Sequence, residues 1–196
     1  MKEYIRHSLL EAQTALEGLL SQPTTLDDIA AGADLLVAAL QSGKRIFSCG
    51  NGGSMCDAMH FAEELSGRYR LDRKGLPAAA ISDPGHLTCV GNDYGYDHVF
   101  ARYLESHATS GDCLLAISTS GKSKNILIAA QTARRIGMKT IALTGRRDSE
   151  LHPLVDIDIC TPAGAYADRV QELHIKVIHI LIELIERSLF AENYGQ

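Results

Sequence analysis

Short apolar segments alternate with longer amphipathic segments along most of the chain. The apolar segments are nearly continuous instead of alternating with polar residues, which is typical of parallel strands that are covered on both faces. They predict strands at residues 45–49, 77–81, 113–117, 140–143 and 155–160.

Between these strands the apolar residues recur at helical spacing. The helices predicted in this way cover residues 55–65, 97–107, 125–136 and 168–190. Strands that alternate with helices indicate an α/β protein with a doubly wound, parallel sheet of about five strands. Because no internal repeat, linker or low-complexity segment is visible, we expect residues 1–196 to form a single domain.

Two further helices are predicted at the start of the chain, over residues 2–20 and 26–41. Pro23 separates them, and Thr24 or Thr25 is a suitable N-cap for the second helix. These helices precede the alternation of strands and helices. We therefore expect residues 1–42 to form a helical extension that serves oligomerisation.

Composition and charge exclude several classes of protein. The chain has 196 residues and a net charge of −5, so no overall positive field attracts nucleic acid or an acidic membrane surface. No secretory signal is visible, and the longest apolar stretch, residues 175–182, is too short to span a bilayer. The five cysteines show no C-x-x-C pairing. We expect them to be core residues of a cytoplasmic protein.

The loop after the third strand, residues 118–123, has the sequence STSGKS and is called the serine loop below. A nucleotide-binding P-loop is disfavoured because Ala116 occupies the position of its first glycine. Hydroxyl groups beside the N-terminus of a helix favour a monophosphate site instead. The alternative is an ordinary turn in which one serine caps the helix. The hydroxyl residues are Ser118, Thr119, Ser120 and Ser123.

The first strand ends in the sequence CGNGGS, residues 49–54, which is called the glycine turn below. It fails the dinucleotide-binding fingerprint because Met55 stands at the third glycine position. By itself it is an ordinary turn, but beside the serine loop it is expected to form the second wall of one pocket. A third loop, residues 91–96, either binds sugar hydroxyls or is simply a turn.

Two helices carry residues that are capable of chemistry. His60 and Glu64 lie one turn apart on one helix face, which suits a metal site or an acid–base pair. A surface His–Glu contact is the alternative, and Glu63 could compete with Glu64. His179 is either a core histidine or a functional acid or base. Gln171 lies eight residues before it, about 12 Å of helix rise, so both reach one ligand only by leaning together or across subunits.

A set of motifs over nearly the whole chain closely resembles the phosphoheptose isomerases of the sugar isomerase (SIS) family. These motifs are CGNGGS, DAMHFAEEL, SGRYR, GNDYGY, AISTSGKS, LTG and YADRVQELHIKVIHIL. The resemblance implies a flavodoxin-like SIS fold. It also implies an aldose–ketose isomerase that converts sedoheptulose 7-phosphate into D-glycero-D-manno-heptose 7-phosphate through a cis-enediol. That reaction is the first step towards the ADP-heptose of the lipopolysaccharide core.

The resemblance further implies a homotetramer with active sites at subunit interfaces and one zinc ion per subunit. The implied zinc ligands are His60, Glu64, Gln171 and His179. The phosphate is expected on Ser118, Thr119, Ser120 and Ser123. The rest of the substrate is expected to contact Asn51, Gly52, Gly53, Glu64, Asn92, Asp93 and Gln171.

For catalysis we expect Glu64 to be the base and His179 to be the acid or proton shuttle. The alternative from another class is a non-enzymatic SIS protein, an adaptor that binds a phosphosugar and a replication initiator. Such a protein should have lost the catalytic residues, and this chain has all of them. An isomerase for a different sugar phosphate, such as a hexulose phosphate, is a third possibility.

Overall fold

The computed structural model of the protein describes residues 1–195. Within that range the helices are α1 (Lys2–Leu20), α2 (Pro23–Gln41), α3 (Gly53–Ser66), α4 (Pro84–Asp93), α5 (Val99–His107), α6 (Lys124–Ile136) and α7 (Ala167–Leu189). The strands are β1 (Ile46–Gly50), β2 (Ala78–Ala80), β3 (Cys113–Ser118), β4 (Lys139–Thr144) and β5 (Ile157–Cys160). Short 3-10 helices occupy Tyr96–His98, His152–Leu154 and Ala191–Tyr194.

The strands form one parallel sheet in the order β2-β1-β3-β4-β5, which confirms the predicted α/β fold. This is the flavodoxin-like order, in which the direction of winding reverses between β1 and β3. Ligands of such sheets bind beyond the carboxyl ends of the strands at that switch point. Gly50 pairs with Ile117 at this edge, so the glycine turn and the serine loop both begin there.

Helices cover both faces of the sheet. One layer contains α2, α3 and α7, with Leu36, Phe61 and Val177 in its apolar core. The opposite core contains residues of α5 and α6, including Phe100 and Ile126. Every residue of β3 is buried, which explains why its sequence is apolar from Cys113 to Ile117.

Helix α4 was not predicted from the sequence, because Pro84 and Gly85 interrupt the helical pattern. Its start nevertheless follows helix chemistry, since the Asp83 carboxylate accepts a hydrogen bond from the His86 amide at 2.7 Å and Pro84 occupies the first turn. The turn predicted at residues 91–96 is therefore only partly right, because α4 extends to Asp93.

The predicted start of α2 was also wrong. The helix begins at Pro23 with Gln22 as its N-cap, so Thr24 and Thr25 lie inside it. Thr25 is buried, and its hydroxyl donates to the carbonyl oxygen of Cys160 at 3.2 Å. A tertiary contact with β5, which local patterning does not reveal, therefore replaces the expected capping role.

The two N-terminal helices differ in how they are packed. Helix α2 contributes Ile29 and Leu36 to the buried core, whereas α1 leaves Tyr4, Ile5 and Leu9 exposed. Three cysteines in strands (Cys49, Cys113 and Cys160) are buried, and burial raises the pKa of each thiol. The expectation of core residues was wrong for Cys56 and Cys89, which are exposed. No helix within residues 1–195 has the length and apolar character needed to cross a membrane.

Candidate functional site

The glycine turn and the serine loop meet at the switch point. The Asn51 and Asn125 side-chain amides exchange two hydrogen bonds, each 2.9 Å long. The Tyr96 hydroxyl also donates to Oδ1 of Asn51, at 3.1 Å. The predicted two walls of one pocket are thus adjacent, and one N–H of the Asn51 amide remains available for a ligand.

The serine loop does not behave as a simple helix cap. Ser123 occupies the N-cap position of α6 but makes no side-chain capping bond, and its hydroxyl accepts from Ser118 at 3.3 Å. Ser118 Oγ accepts from the Gly121 amide and Ser120 Oγ from the Lys122 amide. The first amides of α6 therefore lack the side-chain oxygen that would cap them, so the loop is suited to hold an anion.

The neighbouring loop after β4 holds the serine loop in place. The amide of Gly145 donates to the Thr119 carbonyl at 3.0 Å, and that of Leu151 to the Gly121 carbonyl at 3.1 Å. Gly121 has a φ of +61°, and any Cβ there would overlap the side chain of Ser149. Glycine is therefore required at this position.

A cavity of about 430 Å³ opens beside Thr119 and Ser120. Arg146 and Val170 also line it, so the start of α7 faces the serine loop. The cavity gives a phosphate group access to the hydroxyls of Thr119 and Ser120 and to the guanidinium group of Arg146, whereas no residue of the glycine turn lines it.

The residues that can carry out chemistry meet between α3 and α7. His60 Nε2 lies 3.0 Å from His179 Nε2 and 3.4 Å from Glu64 Oε1. Glu63 points outward, with 64% of its side chain exposed against 17% for Glu64. His179 is only partly buried, so it is not a core histidine. We call His60, Glu64 and His179 the His–Glu–His cluster.

This cluster fits a metal ion in both chemistry and spacing. Its nearest ligand atoms all lie within 4.8 Å of one another. Zinc is bound by imidazole nitrogen and carboxylate oxygen at about 2.0–2.1 Å, which places tetrahedral ligands about 3.3 Å apart. The separations of 3.0 and 3.4 Å within the cluster are close to that value.

Gln171, the fourth predicted ligand, lies at the other end of the α3–α7 contact. A Cβ on Gly53 would lie 2.7 Å from Nε2 of Gln171, so this amide packs against the glycine turn. Gly53 and Gln171 face each other, as do His60 and His179, which means that α3 and α7 run parallel here. The single chain thus brings three of the four predicted ligands together and places Gln171 about 12 Å of helix rise before His179.

Asn92 and Asp93 are exposed at the end of α4. Asn92 donates to Asp93 at 2.7 Å, and the Cys89 thiol contacts the second oxygen of Asp93 at 3.7 Å. Their segment reaches the glycine turn through Tyr96. Their contact with a substrate stays a prediction.

Sequence analysis missed Asp57, which lies one turn before His60 on α3. Its Oδ2 atom is buried and has no hydrogen-bond partner among residues 1–195. Burial raises the pKa of Asp57 to about 6, although the nearby His60 acts in the opposite direction. Burial, and next the charge of His60, lower the pKa of His179. Gly53, Asp57, His60 and Glu64 share one helical stripe, and this spacing could have revealed Asp57.

The core histidine of α7 is His174, which sequence analysis also missed. It is 0% exposed, its Nε2 lies 3.2 Å from the Thr144 carbonyl, and its Nδ1 has no partner among the described residues. Burial lowers the pKa of His174 to about 4. Its carbonyl partner ends β4, next to the amide of Gly145 that holds the serine loop.

A flavodoxin-like sheet with a serine loop at its switch point is the architecture of sugar isomerase domains. A model of the SIS domain family matches residues 12–145, and the chain belongs to that family.

Within the family, the chain is similar to phosphoheptose isomerases over nearly its whole length. It is 54% identical to the phosphoheptose isomerase of Hamiltonella defensa, over 97% of this chain and 93% of that protein. It is 55% identical to that of Cytophaga hutchinsonii, over 92% of this chain and 95% of that protein. The solved phosphoheptose isomerase of Neisseria gonorrhoeae has a TM-score of 0.87 and 34% identity, covering 94% of this chain and 98% of that one. These relatives do not support the adaptor alternative.

Proposed function

We propose that the protein is an aldose–ketose isomerase that converts sedoheptulose 7-phosphate into D-glycero-D-manno-heptose 7-phosphate. The observation that carries this proposal is the His–Glu–His cluster, with separations of 3.0 and 3.4 Å, in a chain 54% identical to a phosphoheptose isomerase. An imidazole and a carboxylate side by side are the groups that enediol chemistry requires.

The phosphate binds at the serine loop. Ser118, Thr119, Ser120 and Ser123 offer hydroxyls, and α6 offers its uncapped first amides and the positive end of its dipole. The rest of the substrate lies along the glycine turn, with Asn51, Gly52 and Gly53, and is completed by Asn92, Asp93 and Gln171. The phosphate thus anchors a sugar whose reacting carbons extend towards the His–Glu–His cluster.

The reaction moves two hydrogens and needs no redox cofactor. Glu64 removes a proton from C1 of the ketose, and the electron pair left behind forms the C1–C2 double bond of a cis-enediol. His179 acts as the acid or shuttle that protonates C2, while the proton of the C1 hydroxyl passes to the oxygen on C2. The product is the aldehyde at C1. Glu64 has then gained one proton and His179 has lost one, and proton exchange with solvent returns both side chains to their starting states.

The proposed cofactor is zinc, with one ion per subunit held by His60, Glu64 and His179 of one chain and by Gln171. Because Gln171 lies about 12 Å of helix rise from His179 in its own chain, its amide comes from a neighbouring subunit in this proposal. Zinc held there would polarise the carbonyl and enediol oxygens of the substrate. Coordination lowers the basicity of a carboxylate, so Glu64 acts as the base when it is not bound to the metal. Asp57, whose buried oxygen lacks a partner in residues 1–195, lies one turn before His60 on α3.

We further propose a cytoplasmic homotetramer whose active sites lie at subunit interfaces. In this arrangement the single domain uses residues 1–42 for oligomerisation, since Tyr4, Ile5 and Leu9 of α1 are exposed. The reaction would be the first step towards ADP-heptose for the lipopolysaccharide core. Neither nucleic acid nor a membrane is a partner. Analytical ultracentrifugation tests the tetramer.

One labelling experiment tests the reaction. Purified protein with added zinc is incubated with sedoheptulose 7-phosphate in deuterated water, and both sugars are analysed by NMR. We expect the heptose phosphate to form with deuterium at C2, and the remaining ketose to gain deuterium at C1. Binding of the sugar phosphate without exchange or isomerisation would instead favour an adaptor. A parallel reaction with a hexulose 6-phosphate tests the preference for substrate length.

A further inference from the structure

A buried ion pair lies at the C-terminal end of α3, next to the backbone of Glu64. The side chains of Arg73 and Glu186 are each 1% exposed, and Nε of Arg73 donates to Oε1 of Glu186 at 2.7 Å. A charged pair this deeply buried is uncommon, because its desolvation offsets much of the mutual attraction. It is therefore weak evidence for a stabilising role and calls for another explanation.

The remaining nitrogens of Arg73 bind the end of α3. Nη2 donates to the backbone carbonyl of Glu64 at 2.7 Å, and Nη1 donates to that of Leu65 at 2.8 Å and of Gly67 at 3.1 Å. The last carbonyls of a helix lack partners within the helix, and a cationic side chain satisfies them well. Arg73 thus holds the backbone of the proposed catalytic base.

Glu186 connects this arginine to the other half of the cluster. It lies seven residues after His179 on α7, so both side chains project from the same helix face, two turns apart. Its second oxygen accepts a hydrogen bond from the Tyr194 hydroxyl at 2.8 Å. Burial and this bond raise the pKa of Tyr194 to about 12. We call Arg73, Glu186 and Tyr194 the arginine clamp.

We propose that Arg73 is a positioning residue for the isomerisation, because it fixes the distance between Glu64 on α3 and His179 on α7. One guanidinium group bonds the backbone of Glu64 and, through Glu186, the helix face that carries His179. This role rests on the proposed function. One part of this role does not depend on the reaction: the arginine clamp sets the spacing at which the three side chains of the His–Glu–His cluster meet.

The first test replaces Arg73 by lysine. Arg73→Lys keeps the buried charge beside Glu186, so the fold is maintained. An ammonium group cannot, however, reach Glu186 and the carbonyls of Glu64, Leu65 and Gly67 in the same planar geometry. A displacement of about 1 Å can lower a rate by roughly 100-fold. We expect kcat to fall by about 10- to 100-fold with KM changed less than about threefold, since the serine loop is untouched. The matched control is Arg135→Lys, which alters an exposed 2.7 Å pair with Glu105 in the opposite helix layer.

The second test distinguishes a positioning role of Arg73 from a contribution of the ion pair to the stability of the fold. The double variant Arg73→Met, Glu186→Leu replaces the buried pair by apolar side chains, a change that is often neutral or stabilising. Its thermal unfolding should stay close to wild type, while the bonds to α3 are lost. We expect its affinity for Co²⁺, followed by the visible absorption of the ion, to fall by about 10- to 100-fold, as when a metal ligand loses its supporting partner.

The outcomes are distinct. Wild-type kcat and wild-type Co²⁺ affinity in folded Arg73→Lys or in the folded double variant would overturn the proposal. So would losses in Arg73→Lys that merely follow the fraction of unfolded protein. If wild-type protein does not isomerise sedoheptulose 7-phosphate, the proposed function fails, but Co²⁺ affinity still decides the role of the clamp. If the double variant does not fold, Arg73→Lys decides alone.

Discussion

The two ends of the proposed site are built in different ways. The phosphate end consists of loop backbone and hydroxyls at the edge of the sheet, and it is held by the Asn51–Asn125 amide pair. The chemical end consists of side chains on two helices, His60 and Glu64 on α3 and His179 on α7. The phosphate end thus depends on local turns. The chemical end depends on how residues 119 positions apart in sequence are packed.

This difference predicts separable effects. Changes at the phosphate end should alter binding, and changes at the chemical end should alter turnover, because only the transition state uses the base and the acid. The predictions below run from the largest expected effect to the smallest.

Glu64→Gln removes the proposed base and keeps its shape. We expect kcat to fall by about 10²- to 10⁴-fold, the usual contribution of a positioned acid or base. Binding of the sugar phosphate, measured by calorimetry, should remain near wild type. Glu105→Gln is the control, since Glu105 lies on α5 in the opposite helix layer and makes an ion pair with Arg135. Near wild-type turnover in Glu64→Gln would defeat the assignment.

His174 lies between the two ends and should make stability depend on pH. Burial lowers its pKa from the ordinary value of 6.5 to about 4, so between these pH values the unfolded chain binds a proton that the folded protein does not. The stabilisation from neutral His174 is present above pH 6.5 and is lost as pH falls towards 4, by about 3 kcal/mol. Urea unfolding at pH 7.5 and 4.5 measures this loss.

The control for that loss is His174→Gln, whose amide can still donate to the Thr144 carbonyl but does not titrate in this range. We expect the variant to be less stable than wild type at pH 7.5 and less sensitive to acid. Equal pH sensitivity in both proteins would contradict the role of His174.

Zinc should stabilise the wild-type protein through the His–Glu–His cluster. At a free concentration of 100 times the Kd, a ligand that binds only the folded state contributes about 2.7 kcal/mol. For a chain of this size that corresponds to a rise in Tm of roughly 5–10 °C. His60→Ala should abolish the rise, while His107→Ala, which alters an exposed residue at the end of α5, should not. A rise of the same size in His60→Ala would place the metal elsewhere.

Ser120→Ala tests the phosphate end. Loss of one hydrogen bond to a charged phosphate should raise KM by about tenfold and leave kcat within about twofold. Ser42→Ala, on the exposed end of α2, serves as the control. A fall in kcat with unchanged KM would show that the two ends are not separable as described.

Much of the fold follows from local pattern. Continuous apolar runs indicated all strands, because a parallel sheet buries both of its faces. Helix α4 was not predicted because Pro84 and Gly85 are typical of a turn. The capping bond of Asp83 is seen only in the folded structure. The misplaced start of α2 reflects Thr25, whose partner lies 135 residues away.

Some residues of the site likewise follow from local pattern, and others only from tertiary packing. The spacing of His60 and Glu64 was sufficient to suggest one half of the cluster, because four residues are one helical turn. Sequence left open whether His179 is functional or a core histidine, and only tertiary packing separates it from His174. Arg73 could not be found from pattern, since its role depends on carbonyl groups, which every residue possesses.

The parallel packing of α3 and α7 also sets the distance between the glycine turn and the His–Glu–His cluster. Gly53 packs against Gln171 at the start of α3, and His60 lies beside His179 seven residues further along α3, about 10 Å of helix rise away. A molecule that contacts the glycine turn and the two imidazoles together must extend over that distance. A compound shorter than that distance can contact one of the two places but not both.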